Sequence, residues 1–313
     1  MNTLAVVLEE PERLSLRRLD LQEANAEDLV VKIDWSGIST GTERLLWSGR
    51  MPPFPGMGYP LVPGYESVGR VIDAGASVRA RIGERVFVPG SSGFKDARGL
   101  FGGAARRVVA ASARVVSISD SLAEQGVLIA LAATARHAIA AGRDGSPDLI
   151  VGHGVLGRLL ARIAIAEGGP VPTVWDTHPE RRAGGHGYPV IHPDADERRD
   201  YRAIYDASGD SKLLDRLIAR LARGGEVVLA GFYDQPLSFA FPPAFMREAR
   251  LRVATEWAPQ DLTATLALIE SGRLSLDGLI THRLSAIQAP EAYRTAFTDM
   301  SCLKMILDWR GCS

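Results

Sequence analysis

The chain has 313 residues, 46% of them hydrophobic, and 36 Lys and Arg against 37 Asp and Glu leave a formal charge of −1. That length allows two domains with sizeable cores, and the near-zero charge makes no electrostatic case for nucleic acid or an anionic membrane surface. No run approaches the roughly 18 apolar residues of a membrane span, so no integral membrane segment is expected.

The N-terminal Met1-Asn2-Thr3-Leu4-Ala5 has no basic segment leading into an apolar stretch, so a cytoplasmic location is the expectation. Residues 1 to roughly 130 read as β-rich. Leu4–Leu8, Leu29–Ile33, Ser67–Ile72 and Arg85–Val88 are short runs rich in β-branched residues, separated by Gly, Pro and Asp. The stretch from Met51 to Gly64 holds five prolines and three glycines and reads as a loop. Leu122–Ala141, rich in Ala and Leu, should be a helix that bridges into a second region. From Pro147 to Thr255 strands (Leu149–Val151, Val171–Trp175, Ala203–Asp206, Glu226–Ala230, Leu251–Ala254) alternate with helices, the pattern of βαβ units and a parallel sheet. An amphipathic helix over Asp261–Ser271 and strands near Ile280–Arg283 and Lys304–Leu307 follow. Two cysteines, Cys302 and Cys312, cannot form a disulfide framework or a Cys-x-x-Cys zinc knuckle.

The most informative local feature is Gly152-His153-Gly154-Val155-Leu156-Gly157, entered from the strand Leu149–Val151 and followed by an apolar-periodic helix. In such a turn Gly152 makes the tight bend, Gly154 lets backbone approach a pyrophosphate, and Gly157 allows close helix–strand packing. The helix start at Val155 and Leu156 offers unpaired N–H groups and a partial positive charge to the phosphates. Asp176 ends the next strand about 20 residues later, where a carboxylate suits the ribose 2′-OH of NAD and repels the 2′-phosphate of NADP. Arg181 and Arg182 stand nearby and weigh the other way. Turns at Ser208 and Gly231, each following a strand, fit ligand approach at strand carboxyl ends. These residues point to a dinucleotide-binding unit that prefers NAD.

Longer motifs add a family. Ser36-Gly37-Ile38-Ser39, Pro63-Gly64-Tyr65-Glu66 and Thr134-Ala135-Arg136-His137-Ala138 resemble the Ser-Gly-Val-Cys, Pro-Gly-His-Glu and Thr-Ala-x-x-Ala motifs of the medium-chain dehydrogenase/reductase superfamily. Gly41-Thr42-Glu43-Arg44-Leu45-Leu46-Trp47-Ser48-Gly49, the run from Phe54 to Glu66, and Gly99-Leu100-Phe101-Gly102-Gly103-Ala104-Ala105 are similar to its zinc-independent bacteriochlorophyllide dehydrogenases. The resemblance implies an α/β fold: a GroES-like β-rich catalytic domain over 1–131 and 257–313, and a Rossmann domain with a doubly wound parallel sheet over 132–256. It also implies NAD-dependent oxidation of a 1-hydroxyethyl group to acetyl on a tetrapyrrole substrate in bacteriochlorophyll biosynthesis, a step of photosynthetic metabolism. Thr134 falls where relatives contact the nicotinamide end of the cofactor, Lys304 where some place a cation on the pyrophosphate, and a homodimer through the nucleotide domain is expected. For Lys304 the other reading is a solvated lysine at a strand start.

In zinc-dependent relatives Cys, His and a second Cys or Asp hold the metal that acidifies the alcohol. Those places read Ser39, Tyr65 and Ala130 here, and the lobe around Pro89–Gly99 has no cysteines for a structural zinc, so no metal is expected. The alcohol proton then needs a side chain or a relayed water. Ser39, Thr40, Thr42, Glu43, Tyr65 and Glu66 cluster there in sequence; Glu66 and Tyr65 rank first as proton acceptors, with Ser39 and Thr42 as relay hydroxyls. Packing for Tyr65 and a structural ion pair to an arginine for Glu66 are the competing readings. His153 should sit near phosphate, His178, His186 and His192 in solvent, and His137 and His282 in structural roles. Phe54, Met57, Tyr59, Phe101, Phe232, Tyr233 and Trp257 fall on loops and as a group suit a planar macrocycle. A zinc-free quinone or enone reductase using NADPH, and a non-catalytic nucleotide-binding protein, stay open as alternatives.

Overall fold

The computed structural model describes residues 1–53, 55–142 and 145–312, which form two compact units, Met1–Ala130 with Gly278–Ser313 and Leu131–Asp277. In the first, the strands are β1 (Asn2–Glu10), β2 (Arg13–Asp20), β3 (Asp28–Ile38), β4 (Ser67–Ala74), β5 (Arg85–Val88), β6 (Arg107–Ala111) and β7 (Val116–Ser117), with a short helix α1 (Thr42–Trp47) after β3. α2 (Ile129–Ala140) leads into the second unit: β8 (Leu149–Val151), α3 (Val155–Ala166), β9 (Thr173–Trp175), α4 (Pro179–Arg182), β10 (Val190–Ile191), β11 (Tyr201–Asp206), α5 (Leu214–Ile218), β12 (Leu221–Leu229), α6 (Phe241–Arg247), β13 (Arg250–Val253) and α7 (Pro259–Glu270). The chain then returns through β14 (His282–Ser285), α8 (Ala289–Thr298) and β15 (Met305–Asp308).

The first unit is built on a mixed sheet in the order β14-β15-β3-β4-β5-β7, with β6 also on β3, and β1 pairs with β2 as a separate ribbon. Its alternating apolar residues, among them Val31, Ile33, Val71, Val86 and Val108, form one core with Tyr293 and Phe297 of α8 and Trp309 after β15. β15 runs antiparallel to β3 with Met305 opposite Ile38. That register brings Lys304 beside the end of β3, where Ser39 follows. β3 also pairs with β4 so that Ser36 faces Ser67, which brings Glu66 to the same end.

The second unit is a six-stranded sheet in the order β10-β9-β8-β11-β12-β13, with every pair parallel. The strand sequence reverses direction between β8 and β11, the switch point of a doubly wound fold. Leu149, Val151, Ile204, Val227 and Leu229 bury the sheet against α5 and α6.

Two boundaries differ from the sequence reading. The bridging helix over 122–141 is instead a 3-10 stretch, Asp120–Leu128, broken at Ala123 (φ 43°), with α-helix only from Ile129. The return to the first unit comes at Gly278 rather than at 257, because Asp261 of α7 pairs with Arg136 and His137 of α2. Arg162 of α3 also donates to the Ser275 and Asp277 carbonyls, holding this segment to the nucleotide-type unit.

Candidate functional site

In the first unit Ser39, Thr42, Tyr65 and Glu66 come together where β3, α1 and the start of β4 meet. Ser39 Oγ lies 2.7 Å from Tyr65 Oη, and the Tyr65 hydroxyl is also hydrogen-bonded to the Thr42 side chain. Burial and the negative charge of Glu66 push the Tyr65 phenol above its ordinary range, so near neutrality it stays protonated and passes a proton only by receiving another. Phe101 stands edge-on to Tyr65 at 5.0 Å; with Met57, Tyr59 and Leu100 it covers the cluster of Leu8, Leu45, Leu46, Met51 and Leu61. Phe54 of the expected aromatic group lies outside the described residues. Phe232 and Tyr233 belong to the second unit, with Tyr233 on Asp206.

Glu66 is 0% exposed, and Lys304, 1% exposed, donates to both its oxygens at 2.7 and 2.9 Å and to the Ile38 carbonyl at 3.2 Å. Gly37 is required for this arrangement, since a Cβ there would fall 2.2 Å from Glu66 Oε2. The expected structural pairing of Glu66 is thus present, with a lysine in place of an arginine. Lys304 itself is neither a solvated lysine nor a cation with a free donor for pyrophosphate: its three N–H groups are all in use inside the first unit. Glu66 likewise has no oxygen without a cationic partner, which argues against its expected place as first proton acceptor.

A residue unranked by sequence completes the cluster. Glu43, also 0% exposed, accepts from the Ser39 N–H at Oε1 (3.0 Å) and from the Tyr293 hydroxyl at Oε2 (2.7 Å), while its own N–H donates to the Ser39 carbonyl (3.0 Å). Burial raises this carboxyl to about 7. The Gly-Thr-Glu triplet placed it near the site, but nothing local announced Tyr293 as its partner.

These residues do not fit a catalytic zinc. Ser39 and Tyr65 are neutral hydroxyls bonded to one another, Ala130 offers no ligand atom on its side chain, and both Glu66 oxygens are committed to Lys304. A tight zinc site needs thiolate, imidazole or carboxylate ligands with lone pairs to give.

In the second unit the dinucleotide fingerprint has the local geometry its sequence requires. Gly152 adopts φ +94°, and a Cβ on Gly157 would fall 1.8 Å from the Gly152 carbonyl oxygen. Over Gly154 a Cβ would meet only Arg181 Nη1, at 3.8 Å, so backbone there is open to a ligand. Gly154 caps α3 without a side chain, and the first-turn N–H groups, at Val155, Leu156 and Gly157, have no intrahelical acceptor. The turns after β11 and β12 close on this bend: a Cβ on Gly152 would sit 3.3 Å from Ser208, and one on Gly231 2.9 Å from the Gly209 nitrogen. Asp206 holds these turns, accepting from Ser208 N and Oγ and from Tyr233 Oη. Asp176 ends β9 with its oxygens turned to the His153 and His178 amides, both at 2.9 Å, leaving lone pairs for a ribose hydroxyl. The cradle therefore fits a nicotinamide dinucleotide. Thr134 lies on α2, half-buried, in the same unit.

His153 does not face phosphate through its ring. The imidazole is buried, with Nδ1 2.6 Å from the Arg181 carbonyl and Nε2 2.9 Å from Tyr188 Oη. Burial lowers it to about 4, so it is neutral, with Nδ1–H donating to the carbonyl and Nε2 accepting from the phenol. His137 bridges Asp261 and Thr255, a structural role.

Residues 25–120 match the alcohol dehydrogenase GroES-like domain family. The chain is 59% identical over 311 residues, 99% of each protein, to the 2-desacetyl-2-hydroxyethyl bacteriochlorophyllide A dehydrogenase of Rhodobacter capsulatus. It is 60% identical over 316 residues, again 99% of each, to the protein of the same name from Cereibacter sphaeroides. In fold it matches an alcohol dehydrogenase of Escherichia coli CFT073 complexed with NADH, at a TM-score of 0.84 and 20% identity, over 98% of this chain and 99% of that one.

Proposed function

This chain belongs to the family of 2-desacetyl-2-hydroxyethyl bacteriochlorophyllide A dehydrogenases, within the medium-chain dehydrogenase/reductase superfamily, and from that premise we propose that it oxidises the hydroxyethyl group of a bacteriochlorophyllide to acetyl with NAD and without a catalytic zinc. The C–H hydrogen leaves as hydride and the O–H hydrogen as a proton, so one alcohol and one NAD yield one ketone, one NADH and one proton. NAD supplies the hydride acceptor; the chain supplies the cradle and the path for the proton.

The observation that carries the zinc-free reading is the Ser39–Tyr65–Thr42 hydroxyl cluster, at the positions that the motif resemblance sets against the metal ligands of zinc-dependent relatives. A hydroxyl chain of this kind takes the alcohol proton at one end as it releases another at the far end, so no member has to carry charge. The Glu66–Lys304 pair lies beside the cluster, with Lys304 also donating to the Ile38 carbonyl next to Ser39. Preference for NAD over NADP rests on Asp176, whose carboxylate would meet the 2′-phosphate; Thr134 is the proposed contact at the nicotinamide end.

A cytoplasmic location is part of this proposal; separately, among the described residues no helix is long and apolar enough to cross a membrane. A homodimer is supported by exposed apolar residues of α6 and of the edge strand β13: Phe241, Phe245, Met246 and Val253 are 66–73% exposed.

The deciding experiment incubates the purified protein, stripped with a strong chelator, with hydroxyethyl bacteriochlorophyllide and either NAD or NADP. A shift of the macrocycle absorption to that of the acetyl product, faster with NAD, is expected. No shift despite measured NAD binding refutes the activity, and activity that zinc alone restores refutes the zinc-free mechanism.

A further inference from the structure

Among the described residues two fully buried side-chain carboxylates, Glu43 and Glu66, lie in the first unit, and their surroundings differ in one decisive way. Glu66 has a cation on it: Lys304 reaches both oxygens. Protonating Glu66 would leave that ammonium buried and unpaired, which is costly. Glu43 has no such partner. Its two contacts are neutral donors, the Ser39 amide and the Tyr293 hydroxyl. The charged and titratable groups around it are Tyr293 from α8, Tyr65 and Glu66 from the segment entering β4, and Lys304 from the start of β15, with Lys304 already neutralised by Glu66. Glu43 therefore carries the net negative charge of the cluster.

Glu43 also grips Ser39 on both sides of its Cα: it accepts the Ser39 N–H, and its own N–H donates to the Ser39 carbonyl. Ser39 in turn presents its hydroxyl to Tyr65. A proton added at Oε1 would point at the Ser39 N–H, and one at Oε2 would face the Tyr293 hydroxyl, so protonation breaks or reverses one of the two bonds.

Resting on the dehydrogenase reading above, we propose that Glu43 is a positioning residue whose carboxylate form holds Ser39 in register with Tyr65, and that Glu43, not Glu66, sets the acid limb of turnover. The burial that lifts its carboxyl to about 7 puts that limb near neutrality. Activity then rises as pH rises through this value, because the competent form is the ionised one.

The test compares the wild type, Glu43→Gln, Glu66→Gln and Tyr293→Phe by kcat/KM against pH from 5.5 to 9, with thermal midpoints over the same range. Wild type should show an acid-limb inflection near neutrality, about a tenfold fall per pH unit below it. Glu43→Gln should lose the inflection. Tyr293→Phe, which removes a donor from the carboxylate, should move it to higher pH, a change that a purely structural role would not cause. A carboxyl whose folded value lies above its unfolded one loses stability as pH rises between the two, so the midpoint of Glu43→Gln should gain on wild type from pH 5.5 to 8. Retention of the inflection in Glu43→Gln, or its loss in Glu66→Gln alone, overturns the proposal. If Glu43→Gln fails to fold, an unmoved inflection in Tyr293→Phe does so. If no variant or wild type turns over the alcohol, the dehydrogenase reading fails, and the midpoints still decide which carboxyl titrates: no relative gain with rising pH in Glu43→Gln overturns the proposal, as does, where that variant does not fold, no relative loss with rising pH in Tyr293→Phe.

Discussion

Replacing Lys304 with methionine removes one charge of a buried ion pair and leaves the other in place. The Lys304 ammonium sits 2.7 Å from Glu66 Oε2, and both side chains are essentially without solvent. At an effective dielectric of about 20 their attraction is about 6 kcal/mol, most of it offset in the native protein by the cost of desolvating two ions. Removing only the lysine keeps the desolvation of Glu66 and loses its compensation, and the Ile38 carbonyl loses a donor as well. A net loss of about 3–5 kcal/mol is expected at pH 8. Without Lys304 the Glu66 carboxyl, which burial already pushes upward, rises further and takes up a proton as pH falls. The folded value then lies above the unfolded one, so the deficit is largest at pH 8 and shrinks toward pH 5. Urea unfolding followed by near-ultraviolet circular dichroism at both pH values, against wild type under the same conditions, measures it. The double variant Glu66→Gln/Lys304→Met, which removes both charges, should recover most of the loss. A single Lys304→Met variant within about 1 kcal/mol of wild type at pH 8, or one with the same deficit at pH 5, would refute a buried, mutually dependent pair.

Tyr65→Phe removes the central hydroxyl of the relay and should lower kcat by roughly 100-fold while leaving NAD affinity, measured by fluorescence titration, unchanged. Gly157→Ala would set a methyl group 1.8 Å from the Gly152 oxygen; the bend must open, and NAD binding should become undetectable by calorimetry. Asp176→Asn keeps an acceptor for a backbone amide but removes the charge, so the ratio of kcat/KM for NAD over NADP should fall about tenfold, equivalent to about 1.4 kcal/mol. His153→Phe deletes the links to Arg181 O and Tyr188; it should raise KM for NAD several-fold with kcat little changed, and an unaltered KM would show that these links do not order the turn.

The nucleotide half of this protein was legible because its signals are local. A strand of three apolar residues, a bend needing positive φ at Gly152, and a helix packed too closely for any side chain at Gly157 occupy nine consecutive positions, Leu149–Gly157. Asp176 follows at a spacing dictated by one helix and one strand. The end of that unit was not legible. Whether the segment after Ala254 stays or returns depends on Asp261 meeting Arg136 and His137, at sequence separations of 125 and 124 residues that no periodicity encodes. β2 escaped notice for another reason: Arg13–Asp20 pairs only with β1, and most of its side chains keep contact with water, so apolar alternation is weak.

The catalytic half shows the same limit in sharper form. Ser39 and Tyr65, where the resemblance sets the Cys and His of zinc-dependent relatives, carry no local signature of a metal site and none of what the fold gathers round them. The surroundings are built from pairs that only the folded sheet creates: Glu66 with Lys304, 238 residues apart, and Glu43 with Tyr293, 250 residues apart. Both partners arrive on the returning segment, Lys304 at the start of β15 and Tyr293 on α8, the first through the register that sets Met305 opposite Ile38. A zinc ion concentrates positive charge at one point and needs only its ligands. Here no such charge stands free: the ammonium is paired with Glu66 and Glu43 is held by a neutral amide and hydroxyl, so on the zinc-free proposal the C-terminal return positions the proton path and supplies no Lewis acid. It follows that substitutions in β15 and α8 should alter the pH dependence of turnover as strongly as substitutions at Ser39 or Tyr65 alter its rate.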